Sequence, residues 1–396
     1  PSVNISDRNV GRLIFGIEES IAGINVTTDL ALSVPAVSCA VSFIAGTMAT
    51  LPLQLFRKTA NGNQKMQSPL AAILQHAAND ECSSYKWRKY TFEQVLTEGR
   101  AYTFIERNGA GRVINLWPLD PSAVTVKRKN GRTTYVYREN GRTVTYEARE
   151  IIDIPFMLKR DMLNHRAPVK MARDAIAMAK AMERYGGNFF NNGGVPPLQL
   201  ISPITGPAAI KRASQDMTDA VSQAHRDKEN VLAVPVGHEL KPIGLDAEKA
   251  QMEKARRFQI EEFARVWNLP PAFLQDLTHG TFSNTEQQDL HYVKHTLSKW
   301  IALFEQELNL KLFGARNTRQ FVKLNVEGLL RGDYKTRMEG HAIGVQNAFK
   351  TPNEIRAMED DPSDPLGDDL LIQGATVPLG SQPTNTDGGD GNAATE

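Results

Sequence analysis

From Ser283 to Phe313 the chain reads SNTEQQDLHYVKHTLSKWIALFEQELNLKLF. Leu290, Val293, Leu297, Trp300, Ile301, Phe304 and Leu308 recur every three or four residues, the period that lines one side of an α-helix. Ser283 and Glu286 stand in capping-box register, each placed to satisfy an orphan amide of the first turn, and Gly314 supplies the stop. At 1.5 Å per residue the run predicts a rod roughly 40 Å long. A rod of that length exceeds the usual helix of a globular domain. It predicts an elongated subunit inside an assembly, its long helices leaning on copies of themselves.

Upstream lie two more helices. Asp246–Trp267 carries the stripe Met252, Ala255, Ile260, Phe263, Val266 and Trp267 and is ended by Pro270-Pro271. Along it, Lys249, Lys254, Arg256 and Arg257 mix with Glu248, Glu253, Glu261 and Glu262. Such alternation predicts salt bridges to neighbours and subunit packing rather than a grip on phosphate. Lys170–Phe190 has Ala172, Ala175, Ile176, Ala179 and Met182 on one stripe, small enough for close helix approach, and Gly186-Gly187 weaken its end. Between these helices the pattern predicts a β-α-β insert. It consists of an Asn/Gly/Pro loop to Pro197, a strand Leu198–Ser202, a polar helix Pro207–Lys228 and a strand Asn230–Pro235.

The first part of the chain is richer in strand. AVTVKRKNGRTTYVYRENGRTVTYE, residues 123–147, holds two Asn-Gly pairs between runs of Val, Thr and Tyr, so it predicts a three-stranded meander with type I′ turns. Lys127, Arg128 and Lys129 fall at a hairpin tip and read as solvated surface. A helix Trp87–Glu98 and strands Ala101–Glu106 and Ile151–Pro155 flank the meander. Leu30 to Phe56 contains no charged residue and is long enough to span a bilayer. Its hydroxyl residues and two prolines point instead to a buried helix Pro35–Thr50, with Val37, Ala40, Val41, Ile44, Met48 and Leu51 inward, then a strand Leu53–Arg57. A strand Gln320–Val326 and a helix Thr351–Asp360 follow the rod. The fold class is α+β.

Composition narrows function by exclusion. The 396 residues, 41% hydrophobic and 23% charged, are ordinary for a globular chain of two or three domains. A net charge of +1 gives no global grip on nucleic acid or membrane. The sign is uneven: Glu359 to Glu396 holds nine acids without a Lys or Arg, leaving +10 on the remainder. Residues 361–396 are therefore expected to be an acidic, disordered tail. Two cysteines, Cys39 and Cys82, cannot make a disulfide scaffold or a four-ligand zinc site. A chain opening at Pro1, without Met or a basic-then-apolar leader, is expected to be trimmed or a fragment. No GxxxxGK[ST], GxGxxG or GxSxG motif is present. His291 and His295 could share a metal and serve a metal-dependent nuclease or phosphoesterase, but the residues between them, Tyr292, Val293 and Lys294, lack the Glu that zinc hydrolases of that spacing use as base. No catalytic residue, cofactor or metal is assigned.

Several segments together resemble the portal proteins of long-tailed double-stranded-DNA phages. They are VPAVSCAVSFIAGTMATLPLQLF, NLWPLDPSAVTV, MERYGGNFFNNGGVPPLQL and, above all, NLPPAFLQDLTHGTFSNTEQQDLHYVKHTLSKWIALFEQELNLKLF. The order Pro270, Pro271, Gly280, Ser283, Asn284, Glu286, Gln287 is the most specific part. The resemblance runs from about Val34 to Met358. Two departures stand out: Asn164, His165, Arg166 and Ala167 replace a Gly/Ser stretch, and Asp153 stands where the strand is expected to carry His.

The resemblance implies an N-terminal arm (1–29), a wing (30–169 with a return strand in 315–332) and stem helices (170–190 and 246–269). It further implies a clip (191–245), a tunnel loop (270–284), a long channel-proximal helix (285–314) and a helical crown (333–360). It implies a twelve-copy ring at the unique capsid vertex. Double-stranded DNA would pass through it in packaging and ejection, with the large terminase subunit, a head–tail adaptor and the major capsid protein as partners. No membrane is involved. The expected location is the virion, and the host cytoplasm during assembly. Leu277, Thr278, His279, Gly280, Thr281 and Phe282 would project into the channel. No Lys or Arg lies between Pro270 and Asn284, so a near-neutral loop would let cargo slide, and the ring is expected to hold free duplex weakly at physiological salt.

Overall fold

The uncharged stretch after Leu30 folds as core. In the computed structural model the described residues are 20–60, 62–191, 198–201, 203–226, 234, 236–242, 248–275, 285–326, 329, 334–359 and 361–371, and the chain divides into two units, 1–326 and 327–396. Thr27 caps helix α1 (Thr28–Leu32) by accepting the Leu30 amide. Pro35 opens α2 (Pro35–Thr50) in the first turn, where a missing N–H costs nothing. Every member of the predicted stripe, from Val37 to Leu51, is at most 3% exposed. Among the described residues no helix is long and apolar enough to cross a membrane. Strand β1 (Leu53–Thr59) follows and pairs with β2 (Gly62–Lys65).

Helices α3 (Pro69–Gln75) and α4 (Ser84–Thr97) are each capped by a serine hydroxyl, from Ser68 and Ser83. On α4, Trp87, Phe92, Val95 and Leu96 are fully buried. Arg88 lies buried among them and donates to the carbonyls of Ser84 and Leu51. Leu51 closes α2, so a cation sits at that helix's negative end, and burial lowers the Arg88 pKa to about 10. Gly99 then turns the chain with φ +84°, and a Cβ there would lie 2.6 Å from the Ala167 Cα and the Arg166 carbonyl. Strands β3 (Arg100–Arg107), β4 (Val113–Leu119), β5 (Val124–Lys129), β6 (Arg132–Glu139), β7 (Arg142–Glu147) and β8 (Ile151–Pro155) form two antiparallel sheets, ordered β4-β3-β8 and β5-β6-β7. The second sheet is the predicted meander. Asn130 and Asn140 take φ of 50° and 49°, and Gly131 and Gly141 take 76°, as type I′ turns require.

The helix expected over Lys170–Phe190 is two, α5 (Pro168–Met171) and α6 (Arg173–Asn191), broken at Ala172, whose ψ of 7° leaves the helical range. Strand β9 (Leu198–Ile201) and helix α7 (Pro207–Arg226) follow. The strand that closes this insert is β10 (Glu239–Pro242), antiparallel to β9. The expected partner, Asn230–Pro235, falls almost wholly outside the described residues. Helix α8 (Glu248–Trp267) matches the second predicted long helix.

The predicted rod is not one uniform helix. α9 (Thr285–His291) passes into a π-helical segment, Tyr292–Leu297, before α10 (Ser298–Phe313). Ser283 and the Glu286 side chain, the expected capping box, lie outside the described residues. Strand β11 (Gln320–Leu324) pairs with β1 in place of the longer predicted strand. In the second unit, α11 (Tyr334–Gln346) falls in the stretch 333–360 that the resemblance makes helical, and α12 (Pro352–Met358) carries a capping box of Thr351 and Glu354. Arg337 and His341 of α11 meet Glu359 at 2.9 and 3.1 Å.

α10 holds the first unit together. Trp300, Phe304, Leu308 and Leu312 are buried, with Phe304 tilted against Trp87 and Phe92 of α4 at 5.8 and 5.3 Å. Much of its apolar side is therefore buried inside its own subunit, while Leu310 stays exposed. Its acceptors reach strand amides: Glu305 takes Leu324 N–H at 2.7 Å, Asn309 takes Val322 N–H at 2.7 Å and Glu307 takes Asp153 N–H at 3.1 Å. Asp153, the residue standing in place of His, is the hub. Arg100 clamps it through two nitrogens, one at 2.6 Å, and the Tyr135 hydroxyl donates to it at 2.6 Å. Arg100 and Asp153 are 3% and 9% exposed. Burial, with the Asp153 carboxylate alongside, drives the Tyr135 phenol far above its ordinary range. Burial likewise raises Glu307, against the pull of Lys311.

Removing one member of a buried ion pair leaves the other uncompensated. Asp153→Ala is expected to cost ~3–5 kcal/mol in urea unfolding, and Tyr135→Phe only ~1–3 kcal/mol. A second prediction concerns His165, whose Nε2 meets the Glu98 carbonyl at 3.0 Å. Burial is the main cause that lowers its pKa from 6.5. Acidification below 6.5 then protonates the unfolded chain first, so stability falls as pH drops through that window. His165→Gln should flatten this part of a stability-versus-pH curve measured by thermal melting.

Candidate functional site

Residues 276–284 hold the predicted channel-facing positions, Leu277, Thr278, His279, Gly280, Thr281 and Phe282, and lie outside the described residues. Their two flanks are described, and they are clamped to each other. Trp267, fully buried, ends α8 and donates from Nε1 to the Leu96 carbonyl at 3.0 Å. Asn268 follows with φ +52°, a left-handed conformation that Asn tolerates better than most residues, and Leu269 N–H returns to the Ala264 carbonyl. Pro270 and Pro271 prevent any continuation of the helix. From Asn268 two bonds cross to the far flank. Its Nδ2 donates to the His295 carbonyl at 2.7 Å, and its own carbonyl accepts from the Thr296 hydroxyl at 2.6 Å.

Both partners belong to the π-helical segment. A wide turn disturbs the i→i−4 ladder, and such turns often accompany functional sites. Here Asn268 occupies one of its carbonyls. A few residues on, Phe273, Phe43 of α2 and Tyr292 form an aromatic triangle with every centroid separation 5.1 Å. Cys39 Sγ donates to the Phe273 carbonyl at 3.5 Å, and burial raises the Tyr292 phenol. The residues that flank 276–284 are thus held against the buried helix α2. The Pro-Pro and long-helix motifs are legible in sequence. The Asn268 crossing and the π turn have no periodic signal.

The remaining candidates separate. His291 and His295 are exposed, with ring centroids 4.4 Å apart. Among the described residues no group of three His, Cys, Asp or Glu could hold a metal. On α8, Lys254, Arg256 and Arg257 are exposed and the Lys249 side chain lies outside the described residues. Among the described residues two pairs run along the helix: Glu253 holds Arg257 at 3.1 Å and Glu261 holds Arg265 at 2.8 Å, each in the favourable i,i+4 order. α6 and α8 also carry exposed apolar side chains, Met178, Tyr185 and Phe258.

A family profile described as "Phage portal protein" matches residues 35–360. The chain belongs to the phage portal protein family. It is 27% identical over 373 residues to the portal protein of Enterobacteria phage HK97, covering 91% of this chain and 86% of that one. It is 28% identical over 366 residues to the probable portal protein of Streptomyces phage phiC31, covering 88% and 79%. Among solved structures it superposes on a chain of the native gene transfer agent virion with a TM-score of 0.58 at 17% identity, over 90% of this chain and 99% of that one. A chain from the neck of that native particle, computed with C12 symmetry, gives 0.55 at 16% identity, over 85% and 93%. Both share the α+β fold of this portal family member.

Asn268→Ala is expected to lose a hydrogen bond and to place an alanine at positive φ, costing ~2–3 kcal/mol, whereas Asn268→Gly keeps the backbone relaxed and costs ~1 kcal/mol. Urea unfolding of the two variants checks the order.

Proposed function

We propose that this chain is the repeating subunit of a twelve-copy ring at the capsid's portal vertex, a structural conduit for double-stranded DNA in packaging and ejection rather than an enzyme. The carrying observation is the portal-family match across residues 35–360, most of the chain. The C12 symmetry of the gene transfer agent neck that shares its fold supports the copy number. In this reading 276–284 face the channel, held by the Asn268 crossing and the aromatic triangle, and the absence of Lys and Arg there keeps passing phosphates from being trapped.

The same reading assigns the wing to 30–169 with 315–332, the stem to α6 and α8, the clip to 191–245 and the crown to 333–360. The large terminase subunit, a head–tail adaptor and the major capsid protein are the docking partners, met in the host cytoplasm during assembly and in the virion thereafter. Copy-to-copy contact is assigned to exposed apolar positions, among them Met178, Tyr185 and Phe258 of the stem.

Native mass spectrometry is expected to find twelve copies of the 43.9 kDa chain in a ring that particle averaging shows to be perforated. Met178→Asp with Tyr185→Asp should shift the population to smaller species while leaving the melting temperature of the dissociated chain unchanged. A compact monomer under every condition, with no ring by averaging, would sink the proposal.

A further inference from the structure

The meander β5-β6-β7 has two unlike faces. Val124, Val126, Tyr135, Tyr137 and Tyr146 point into a core shared with Tyr102, Leu119 and Ile151. Side chains alternate along a strand, so the residues between them face away. The register places Lys129 opposite Arg132, Lys127 opposite Thr134 and Arg138 opposite Thr143. Lys127, Lys129, Arg132 and Arg138 are therefore on one outward face, and all four are exposed. None has an acidic partner among the described residues. The acid on that face, Glu147, is held by Arg149 at 3.0 Å. Exposed hydroxyls of Thr125, Thr143 and Thr145 lie on the same face. A tip that reads in sequence as three solvated cations is, once folded, the end of a longer array.

We infer that this face is a binding surface for the phosphate backbone of duplex DNA, read without regard to base sequence. Six residues separate Arg132 from Arg138, about 20 Å of extended chain, and duplex DNA presents one negative charge per ~1.7 Å of its axis. Lys, Arg and Thr side chains are the ordinary partners of phosphate oxygens. An acidic peptide is the poorer fit. Val136 is the one apolar side chain on the face, so a peptide would find charge there but no pocket for anchoring side chains. The inference stands apart from the conduit reading: that one is judged on the mass and shape of the assembly, this one on a DNA titration.

The test is fluorescence anisotropy of a fluorescein-labelled 20-base-pair duplex with the full chain, from 50 to 200 mM salt. Four phosphate contacts predict a log–log slope near −3.6 and a loss of affinity of roughly 100-fold across that range. Each single change, Lys127→Gln, Lys129→Gln, Arg132→Gln or Arg138→Gln, should lessen the slope by about 0.9, and the fourfold variant should lose the salt-sensitive binding. Arg128→Gln, the same loss of charge on the opposite face of the tip, should leave the slope in place. The positions are exposed, so circular dichroism should report unchanged folding. An unchanged slope in the fourfold variant would overturn the inference. So would preferential binding of a polyglutamate peptide over duplex at equal salt.

Discussion

Unpaired strand amides are the constraint around which the first unit is arranged. A buried N–H left without an acceptor costs ~1–3 kcal/mol, and the edges of small sheets expose several. α10 answers this with side chains: Glu305 and Asn309 meet Leu324 and Val322 on β11, and Glu307 meets Asp153 on β8. Neighbouring positions fill the aromatic core with Phe304 and Trp300. One helix thus bridges two sheets through polar bonds and joins both to α4 through packing. The strength of the arrangement depends on charges kept out of water. Arg100, Asp153 and Glu307 are tolerable in that interior because each has fixed partners.

That dependence explains an apparent anomaly. Asp153 looks in sequence like a departure at a position where His is expected, and it carries no local signal of importance. In the folded chain it collects Arg100, Tyr135 and, through its amide, Glu307, which come from three elements far apart in sequence. No period or motif relates residues 100, 135, 153 and 307, so only the fold could reveal the cluster. The legible parts are those where physics is local. The Asn-Gly turns, the stripe of α2 and the prolines after α8 each state their conformation within a few residues. The break at Ala172 and the placement of β10 depend on tertiary contacts and escaped prediction.

The candidate site divides along the same line. The motif Asn268 to Phe313 is strong in sequence because a proline stop and a long apolar period are local features. The clamp between its flanks is not, since Asn268 and Thr296 are brought together only by the folded chain. The rod's length suggested a helix that rests on its copies. Folding buries Leu297, Trp300, Phe304 and Leu308 internally, while Leu290 and Leu310 of the rod stay exposed, as do Met178, Tyr185 and Phe258 on α6 and α8. A long helix can also be covered by several small elements of its own chain, here α4 and the strands β8 and β11.

The π turn between α9 and α10 has a geometric corollary. A wide turn accommodates one residue more than an α-helix would, and each helical residue advances the azimuth by about 100°. The segment therefore works as an angular offset: α9 is rotated, relative to a straight extension of α10, by the share of a revolution that the additional residue contributes. Excising one residue there would straighten the helix and leave Leu290 and His291 on their present bearing, whereas winding the same sequence as a uniform α-helix would swing them by about 100°. Side chains on α9 consequently keep their bearing because the wide turn several positions downstream absorbs the surplus residue.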